Sequence, residues 1–144
     1  LMNEILGHEY GEKELINIPL IIAAEGVTTP QVHRQLGGQV DILPTVANLL
    51  GVPLTDHIHF GQDLLNQTYY NLLPQRYYLP TGSFVNNEEL FMSGKGFEDG
   101  SYFTLAGNAN DHQSATEDEF IHSLKLLQLS DSYVSQLPDR EEPE

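Results

Sequence analysis

Two histidines in the segment D-H-I-H, residues 56 to 59, have the spacing of metal ligands. In an extended segment His57 and His59 would project to the same side, because side chains alternate along a strand. Together with Asp56 or Asp63 they could bind zinc or manganese, which accept imidazole and carboxylate ligands. A pair of histidines beside an acidic residue is also ordinary in a solvated loop. The sequence favours that second interpretation, and a small metalloenzyme built on these histidines remains an alternative.

Three further motifs could do chemistry. His8 and Glu9 in G-H-E-Y-G could be metal ligands or an acid/base pair, but a polar loop after a helix accounts for them as well. No serine or threonine lies in a G-x-S-x-G context, so no nucleophile is identified. The S-G-K-G stretch at residues 93 to 96 lacks both the glycine spacing of a phosphate-binding loop and the Ser or Thr after its lysine. We therefore predict a hairpin turn there.

Four tyrosines lie close together in the sequence, namely Tyr69, Tyr70, Tyr77 and Tyr78. An exposed tyrosine presents a flat apolar ring and a hydroxyl group, and this combination could stack against sugars. Aromatic residues are also typical of strands, where they pack against neighbouring side chains. The sequence favours buried strand aromatics for this group.

The composition excludes several classes of function. The chain of 144 residues is long enough for one domain with its own core. It carries 6 basic and 21 acidic residues, a formal net charge of -15, so neither nucleic acid nor an anionic membrane surface is an expected partner. The scattered acidic residues predict a solvated surface. Because there is no cysteine, disulfides, thiolate metal sites and cysteine nucleophiles are excluded.

No segment predicts a membrane span. The longest apolar run, I-P-L-I-I-A-A at residues 18 to 24, is far shorter than the roughly 20 residues that cross a bilayer. The sequence also lacks a signal-peptide pattern. Its first residues, L-M-N-E-I-L, have the pattern of the last turns of an amphipathic helix that ends at Gly7. We therefore expect the chain to be part of a larger protein.

The first half of the chain has the pattern of an α/β unit. The apolar run 18–24 contains β-branched residues between polar neighbours, which predicts a strand covered on both faces. A polar loop follows, and then a helix over 41–50 with Asp41 as its N-cap, Pro44 in its first turn and Gly51 at its exit. We expect the apolar face of this helix to pack on the strand. That face comprises Leu43, Val46, Ala47 and Leu50.

The second half has the pattern of a small antiparallel sheet. F-G-Q-D-L-L at residues 60 to 65 predicts a turn that leads into a short helix. After it come four short segments rich in strand-forming residues, separated by turn sequences such as P-T-G, N-N and S-G-K-G. The predicted strands cover residues 76–79, 83–85, 89–92 and 101–105.

The last part of the chain has a helical pattern. A capping box is possible at Ser114/Glu117 or at Thr116/Glu119, before apolar residues that share one helix face. Asp131 could cap a further short helix that ends at Leu137. The expected segments are residues 1–53 as the end of an α/β core, 54–137 as an antiparallel subdomain with closing helices, and 138–144 as a disordered acidic tail.

The segment G-G-Q-V-D-I-L-P-T-V-A-N-L-L-G-V, residues 37 to 52, resembles the G-Q-V-D-x-x-P-T-x-x-x-L-x-G motif of lipoteichoic acid synthases. The wider sulfatase and alkaline-phosphatase superfamily has the looser motif D-x-x-P-T-x-x-x-x-x-G. N-I-P-L-I-I is similar to the family's buried strand, F-G-Q-D-L-L to its F-G-x-D-L motif, and G-S-F-V with the S-G-K-G hairpin to its C-terminal sheet. E-D-E-F through L-Q-L-S-D-S resembles the closing helices. The resemblance covers residues 1 to 137.

This resemblance implies a fold and an activity. The expected fold is α/β, or α+β for this part alone, with the last strand and helix of a sulfatase-like sheet before an antiparallel sheet of four strands and a C-terminal helix. The expected enzyme is a membrane-anchored phosphoglycerol transferase of Gram-positive cell-wall synthesis. It would transfer glycerol phosphate from phosphatidylglycerol to a teichoic acid polymer at the extracellular face of the cell membrane. In that family a threonine nucleophile acts with a manganese or magnesium ion. The nucleophile and the metal ligands all precede the buried strand.

No catalytic, cofactor-binding or metal-binding residue is carried over onto this chain. His8 and Glu9 resemble the family's G-D-H-Y-G only superficially, because they lie too close to Ile18 and place the acid on the wrong side. The family's terminal G-D-L-x-R-F has no counterpart in S-Q-L-P-D-R-E-E-P-E. We therefore expect a structural, inactive part of the enzyme that needs no cofactor and has the upstream part of its own catalytic domain as partner. The alternatives are a free-standing cell-surface interaction module and a fragment of another sulfatase or phosphodiesterase-superfamily hydrolase.

Overall fold

The computed structural model describes residues 2–8, 10–25, 29–66, 70–105 and 114–138. The chain forms two compact units, Leu1–Arg34 and Gln35–Glu144. The domain boundary predicted after residue 53 stays a prediction. The acidic tail expected from residue 138 lies, except for its first residue, outside the described residues.

The first unit contains two short helices, α1 (Met2–Leu6) and α2 (Glu12–Ile16). The predicted helix end is confirmed, because Gly7 adopts a φ of 73° and its N–H donates to the Asn3 carbonyl at 2.9 Å. At the start of α2, the Glu14 carboxylate accepts a hydrogen bond from the Gly11 N–H at 2.9 Å. That bond holds the pKa of Glu14 below its usual range.

The apolar run 18–24 is not a strand. It forms no ladder with any residue that the structure describes, and its large side chains are exposed, with Ile21 at 85%. The predicted buried strand is therefore wrong for this chain as described. The reason is that a strand needs a neighbouring strand for its N–H and C=O groups, which a segment cannot supply by its own composition.

The second unit opens with a 3₁₀ turn (Gln39–Asp41) that continues directly into α3 (Ile42–Leu49). The F-G-Q-D-L-L segment follows as a loop that ends in a turn over 64–66, so the short helix predicted there is absent from these residues. Four strands then form one antiparallel sheet in the order β1-β2-β3-β4. Their bounds are Leu73–Pro74, Phe84–Val85, Glu89–Met92 and Ser101–Thr104.

The mixed fold class is confirmed by this sheet and its helices, and the last three predicted strands lie close to β2, β3 and β4. The first predicted strand, 76–79, is wrong, since β1 lies earlier, at Leu73–Pro74. The backbone of Tyr77 has a φ of 74°, which a strand cannot contain. The predicted hairpin at S-G-K-G is confirmed as the connection between β3 and β4.

The core of the sheet is aromatic. Phe91 of β3 is fully buried, and its ring centroid lies 5.1 Å from that of Phe84, 5.1 Å from Phe97 and 5.2 Å from Tyr102. Phe120 closes the cluster edge-on at 6.0 Å. Burial of rings in such tilted and edge-to-face contacts is a main source of stability for a sheet of this size.

The long helix α4 (Glu117–Val134) begins at the second of the two predicted capping boxes. The Glu119 N–H donates to the Thr116 hydroxyl at 3.3 Å, and the Thr116 N–H donates to the Glu119 carboxylate at 2.7 Å. The separate helix predicted from Asp131 is wrong, because α4 runs through this residue. Its carboxylate pairs with Arg76 instead of capping a helix.

Candidate functional site

The Asp41 carboxylate lies at the centre of a buried hydrogen-bond network. Its side chain is 1% exposed. One oxygen, Oδ2, accepts from the Gly38 N–H at 2.8 Å and from the Asn71 side-chain amide at 3.0 Å. The other, Oδ1, accepts from the Gln62 N–H at 2.7 Å. Three N–H groups from three separate segments thus converge on this carboxylate, and they compensate for the loss of its hydration.

Thr45 extends the network by one turn of α3. Its hydroxyl donates to the Asp41 carbonyl at 2.6 Å and accepts from the Leu64 N–H at 3.0 Å. Thr45 is fully buried. The Asp and Thr of the D-x-x-P-T motif therefore each accept a hydrogen bond from a backbone N–H of the F-G-Q-D-L-L loop. These two bonds hold the loop against the start of α3.

Two predictions for this segment need correction. Asp41 occupies the N-cap position of α3, but its carboxylate makes no capping bond to that helix and reaches Gly38 and Gln62 instead. The predicted apolar face is buried only at Ala47, while Leu43 and Leu50 are 56% and 72% exposed. The buried face of α3 contains Pro44, Thr45 and Ala47, and the loop that carries Leu64 contacts the helix on that side.

Two glycines make the close approach possible. A Cβ atom on Gly61 would lie 2.0 Å from the Val40 carbonyl oxygen, and one on Gly38 would lie 2.9 Å from the Leu73 side chain. Backbone therefore packs directly against backbone where the loop crosses the 3₁₀ turn. Glycine is required at both positions because a Cβ atom would not fit. The backbone conformation is not the reason, since neither glycine has a positive φ.

The network positions three segments of the chain, which enclose the Asp41 carboxylate. The carboxylate has almost no exposed surface, and both of its oxygens accept hydrogen bonds from within the chain. A general base or a metal ligand must reach a substrate or an ion. Asp41 is therefore a positioning residue in the described structure.

Comparison with known proteins finds similar sequences and a similar solved structure. No family model matches the chain. Lipoteichoic acid synthase 2 of Bacillus subtilis is 30% identical over 138 residues, which are 93% of this chain and 20% of that protein. The lipoteichoic acid synthase-like YvgJ of the same organism is 36% identical over 98 residues, 62% of this chain and 15% of that protein. The crystal structure of the lipoteichoic acid synthase LtaP from Listeria monocytogenes matches 81% of this chain with a TM-score of 0.70 and 40% identity.

The chain belongs to the lipoteichoic acid synthase family. It corresponds to a C-terminal region of such proteins and spans 20% of the length of lipoteichoic acid synthase 2 and 28% of the LtaP chain. The resemblance that the sequence suggested is therefore confirmed. No described helix of this family member is long and apolar enough to cross a membrane.

Among the described residues, the two histidines of D-H-I-H are not part of a group of potential metal ligands. The His59 ring nitrogen Nδ1 lies 2.9 Å from the Gly61 carbonyl oxygen, and both His57 and His59 are exposed. The Asp63 carboxylate accepts from the Leu65 N–H at 3.0 Å and from the Asn66 amide at 2.6 Å. Within the described residues, no three His, Cys, Asp or Glu side chains are grouped so that they could hold a metal ion.

We expect His57 and His59 to bind no metal ion. In calorimetric titrations with Zn²⁺ and with Mn²⁺ at neutral pH, the heats should match those of the His57→Ala, His59→Ala double variant. The physical reason is that two imidazoles without a third nearby ligand leave most of the ion's coordination to water. A one-to-one site of micromolar affinity that disappears in the double variant would restore the metalloenzyme interpretation.

The other sequence candidates have local explanations. His8 Nε2 lies 3.5 Å from the Glu14 carboxylate, while Glu9 lies outside the described residues. In the S-G-K-G hairpin, the Lys95 and Gly96 N–H groups both donate to the Asp99 carboxylate, at 3.0 and 2.9 Å. Those two bonds lower the pKa of Asp99, and they occupy the amides that a phosphate would need.

The tyrosines are not buried strand aromatics. Tyr77 and Tyr78 are 88% and 83% exposed, and Tyr70 is also exposed. Tyr69 lies outside the described residues. The prediction for the described three is wrong because β1 ends at Pro74, before the Tyr77–Tyr78 pair, and starts after Tyr70.

Sequence patterns did not reveal Gln62 and Asn71 as parts of the site. They lie 21 and 30 residues from Asp41 in the sequence. Gln62 acts through its backbone N–H, which every residue except proline has, so its identity carries no signal. Asn71 lies outside every predicted helix and strand, so its residue type also carried no signal.

Proposed function

We propose that this chain is part of a membrane-anchored phosphoglycerol transferase, which transfers glycerol phosphate from phosphatidylglycerol to a teichoic acid polymer on the extracellular side. Within it, the chain supports the catalytic domain and supplies no catalytic residue. The observation that carries this proposal is the match of 93% of the chain to lipoteichoic acid synthase 2. The burial of Asp41 and Thr45, the Asp and Thr of the D-x-x-P-T motif, agrees with a structural role for this region.

A divalent cation, Mn²⁺ or Mg²⁺, would supply Lewis-acid chemistry in the whole enzyme, where it would polarise the phosphoryl group under attack. The described residues of this chain do not fit such an ion, since no three potential ligands are grouped together among them. We therefore assign no step of the transfer to a residue of this chain.

The exposed apolar surface of α3 supports the proposal that another part of the enzyme packs against this unit. Leu43, Leu49 and Leu50 are all exposed, although the opposite face of the helix is buried in its own unit. A helix that is apolar on both sides is typical of a protein interior. We propose that the upstream part of the same catalytic domain covers this face. The run 18–24 would separately add to that domain as a strand, which would pair its backbone groups and bury its side chains.

A chimera tests this function. We expect lipoteichoic acid synthase 2 of Bacillus subtilis to remain active when the region that matches this chain is replaced by this chain. The Mn²⁺-dependent release of diacylglycerol from a fluorescent phosphatidylglycerol should stay within about tenfold of the parent, a change of about 1.4 kcal/mol in the barrier. The matched residues would preserve the packing that the catalytic residues require.

The isolated chain is the control for this experiment, and it should give no Mn²⁺-dependent release above a heat-killed sample. A chimera that is folded and expressed like the parent but inactive would contradict the proposed role. Turnover by the isolated chain would contradict the assignment of all catalytic residues to other parts of the enzyme.

A further inference from the structure

The backbone at Tyr77 is strained. Its φ of 74° is the only positive φ of a non-glycine residue in the part of the chain that the structure describes. The Tyr78 N–H donates to the Arg76 carbonyl at 3.1 Å, which closes a three-residue γ-turn with Tyr77 at its centre. A γ-turn with positive φ is rare, and for a bulky residue the conformation is costly.

The residues around Tyr77 hold it in this conformation. Arg76 donates to the Asp131 carboxylate at 2.5 Å and to the Leu127 carbonyl at 3.3 Å, so the start of the turn is attached to α4. After the turn, the Ser83 N–H donates to the Pro80 carbonyl at 3.0 Å, where the chain enters β2. Strained residues persist where their surroundings determine them fully, and they cluster at binding and active sites.

The turn presents its aromatic rings to solvent. Tyr77 and Tyr78 are the two most exposed tyrosines among the described residues. Neither ring contributes to the aromatic core around Phe91. Burial of apolar surface therefore does not explain why the chain keeps two large rings at a position whose backbone would suit glycine.

The chemistry around the rings favours an uncharged ligand rich in hydroxyl groups. Two adjacent tyrosines supply flat apolar area and phenolic hydroxyls, and the neighbouring Arg76 side chain, which stays 35% exposed, adds a hydrogen-bond donor. A net charge of -15 opposes polyanions, and an uncharged ligand is not repelled. Saccharide rings match this combination, because they have an apolar C–H face and a rim of hydroxyl groups.

We propose that Tyr77 and Tyr78 form a binding platform for an uncharged saccharide, and that the strained γ-turn is retained because it keeps both rings exposed. This site does not depend on the phosphoglycerol transfer proposed above. It uses neither the Asp41 network nor any residue of the D-H-I-H segment.

The test is a titration of the chain with uncharged oligosaccharides, namely maltohexaose, cellohexaose and chitohexaose. Because the chain has no tryptophan, its intrinsic emission reports on tyrosines alone. We expect a saturable change with at least one of these sugars. Tyr77→Ala and Tyr78→Ala should each weaken the affinity about tenfold. Tyr70→Ala, which removes an exposed tyrosine outside the turn, should leave the affinity within about twofold.

Tyr77→Gly separates binding from folding. Glycine adopts a φ of this size without steric cost, so the unfolding temperature of this variant should equal or exceed that of the unmodified chain, while its saccharide affinity should fall about tenfold, as in Tyr77→Ala. Full affinity in Tyr77→Gly would overturn the proposal. The absence of a saturable response with all three sugars would overturn it too, as would a response that sn-glycerol 1-phosphate gives and the uncharged sugars do not.

Discussion

Asp41→Ala is expected to destabilise the second unit by about 3 to 5 kcal/mol, more than the loss of a helix cap would cost. The substitution leaves the Gly38 and Gln62 N–H groups and the Asn71 amide without their acceptor in a buried site. Each buried unsatisfied donor costs about 1 to 3 kcal/mol. Equilibrium unfolding in urea, followed by far-ultraviolet circular dichroism, would measure the loss.

Asp56→Ala provides the matched control, because Asp56 is an exposed aspartate in the same stretch of chain. It should change the free energy of unfolding by no more than about 0.5 kcal/mol. If Asp41→Ala instead cost only about 1 kcal/mol, the network around it would contribute little. If it kept full stability in the active chimera but lost activity about a hundredfold, Asp41 would belong to the active site.

Gly61→Ala should destabilise the same unit by about 3 to 5 kcal/mol, through overpacking and through the loss of a buried hydrogen bond. The new Cβ would lie 2.0 Å from the Val40 carbonyl oxygen and 2.7 Å from the Asp41 nitrogen. Both are backbone atoms, so no side-chain rotation can make room. The loop would have to move away from the 3₁₀ turn, and the Gln62 N–H would then lose the Asp41 carboxylate.

Gly96→Ala is an identical chemical change at a place with space. No atom lies within 4 Å of the Cβ that it would add, and the backbone has no positive φ. We expect a change of about 0.5 kcal/mol or less, or a slight stabilisation. Equal midpoints for the two variants in urea unfolding would contradict the close backbone contact at Gly61.

Together, the two large effects would show that the shared motifs act as one structural unit. Asp41 lies in the D-x-x-P-T motif and Gly61 in the F-G-x-D-L motif, and the structure joins them through the Gln62 N–H. A substitution in either motif should therefore disturb the other. In an active enzyme, such variants should lose activity in proportion to the fraction that unfolds.

The sequence by itself determined the elements whose signals are local. The capping box at Thr116 and Glu119 lies within four residues, and it correctly predicted the start of α4. The turn at Asn86 is similar, because its side chain accepts from the Glu88 and Glu89 N–H groups just before β3. The order of short motifs was sufficient for the family, since that order is a property of the chain and not of its packing.

Only the tertiary structure decided the role of Asp41, the exposed position of the tyrosines and the state of the run 18–24. Asp41 has the pattern of a local cap, yet its partners Gln62 and Asn71 are 21 and 30 residues away, and no local pattern encodes such distances. The strand predicted over 76–79 lies earlier, at Leu73–Pro74, and Arg76 beyond it pairs with Asp131 of α4. A strand and an apolar helix face both require a neighbour. Whether that neighbour is present depends on which segments meet in space. The hydrophobic pattern of a sequence indicates only that a surface must be buried.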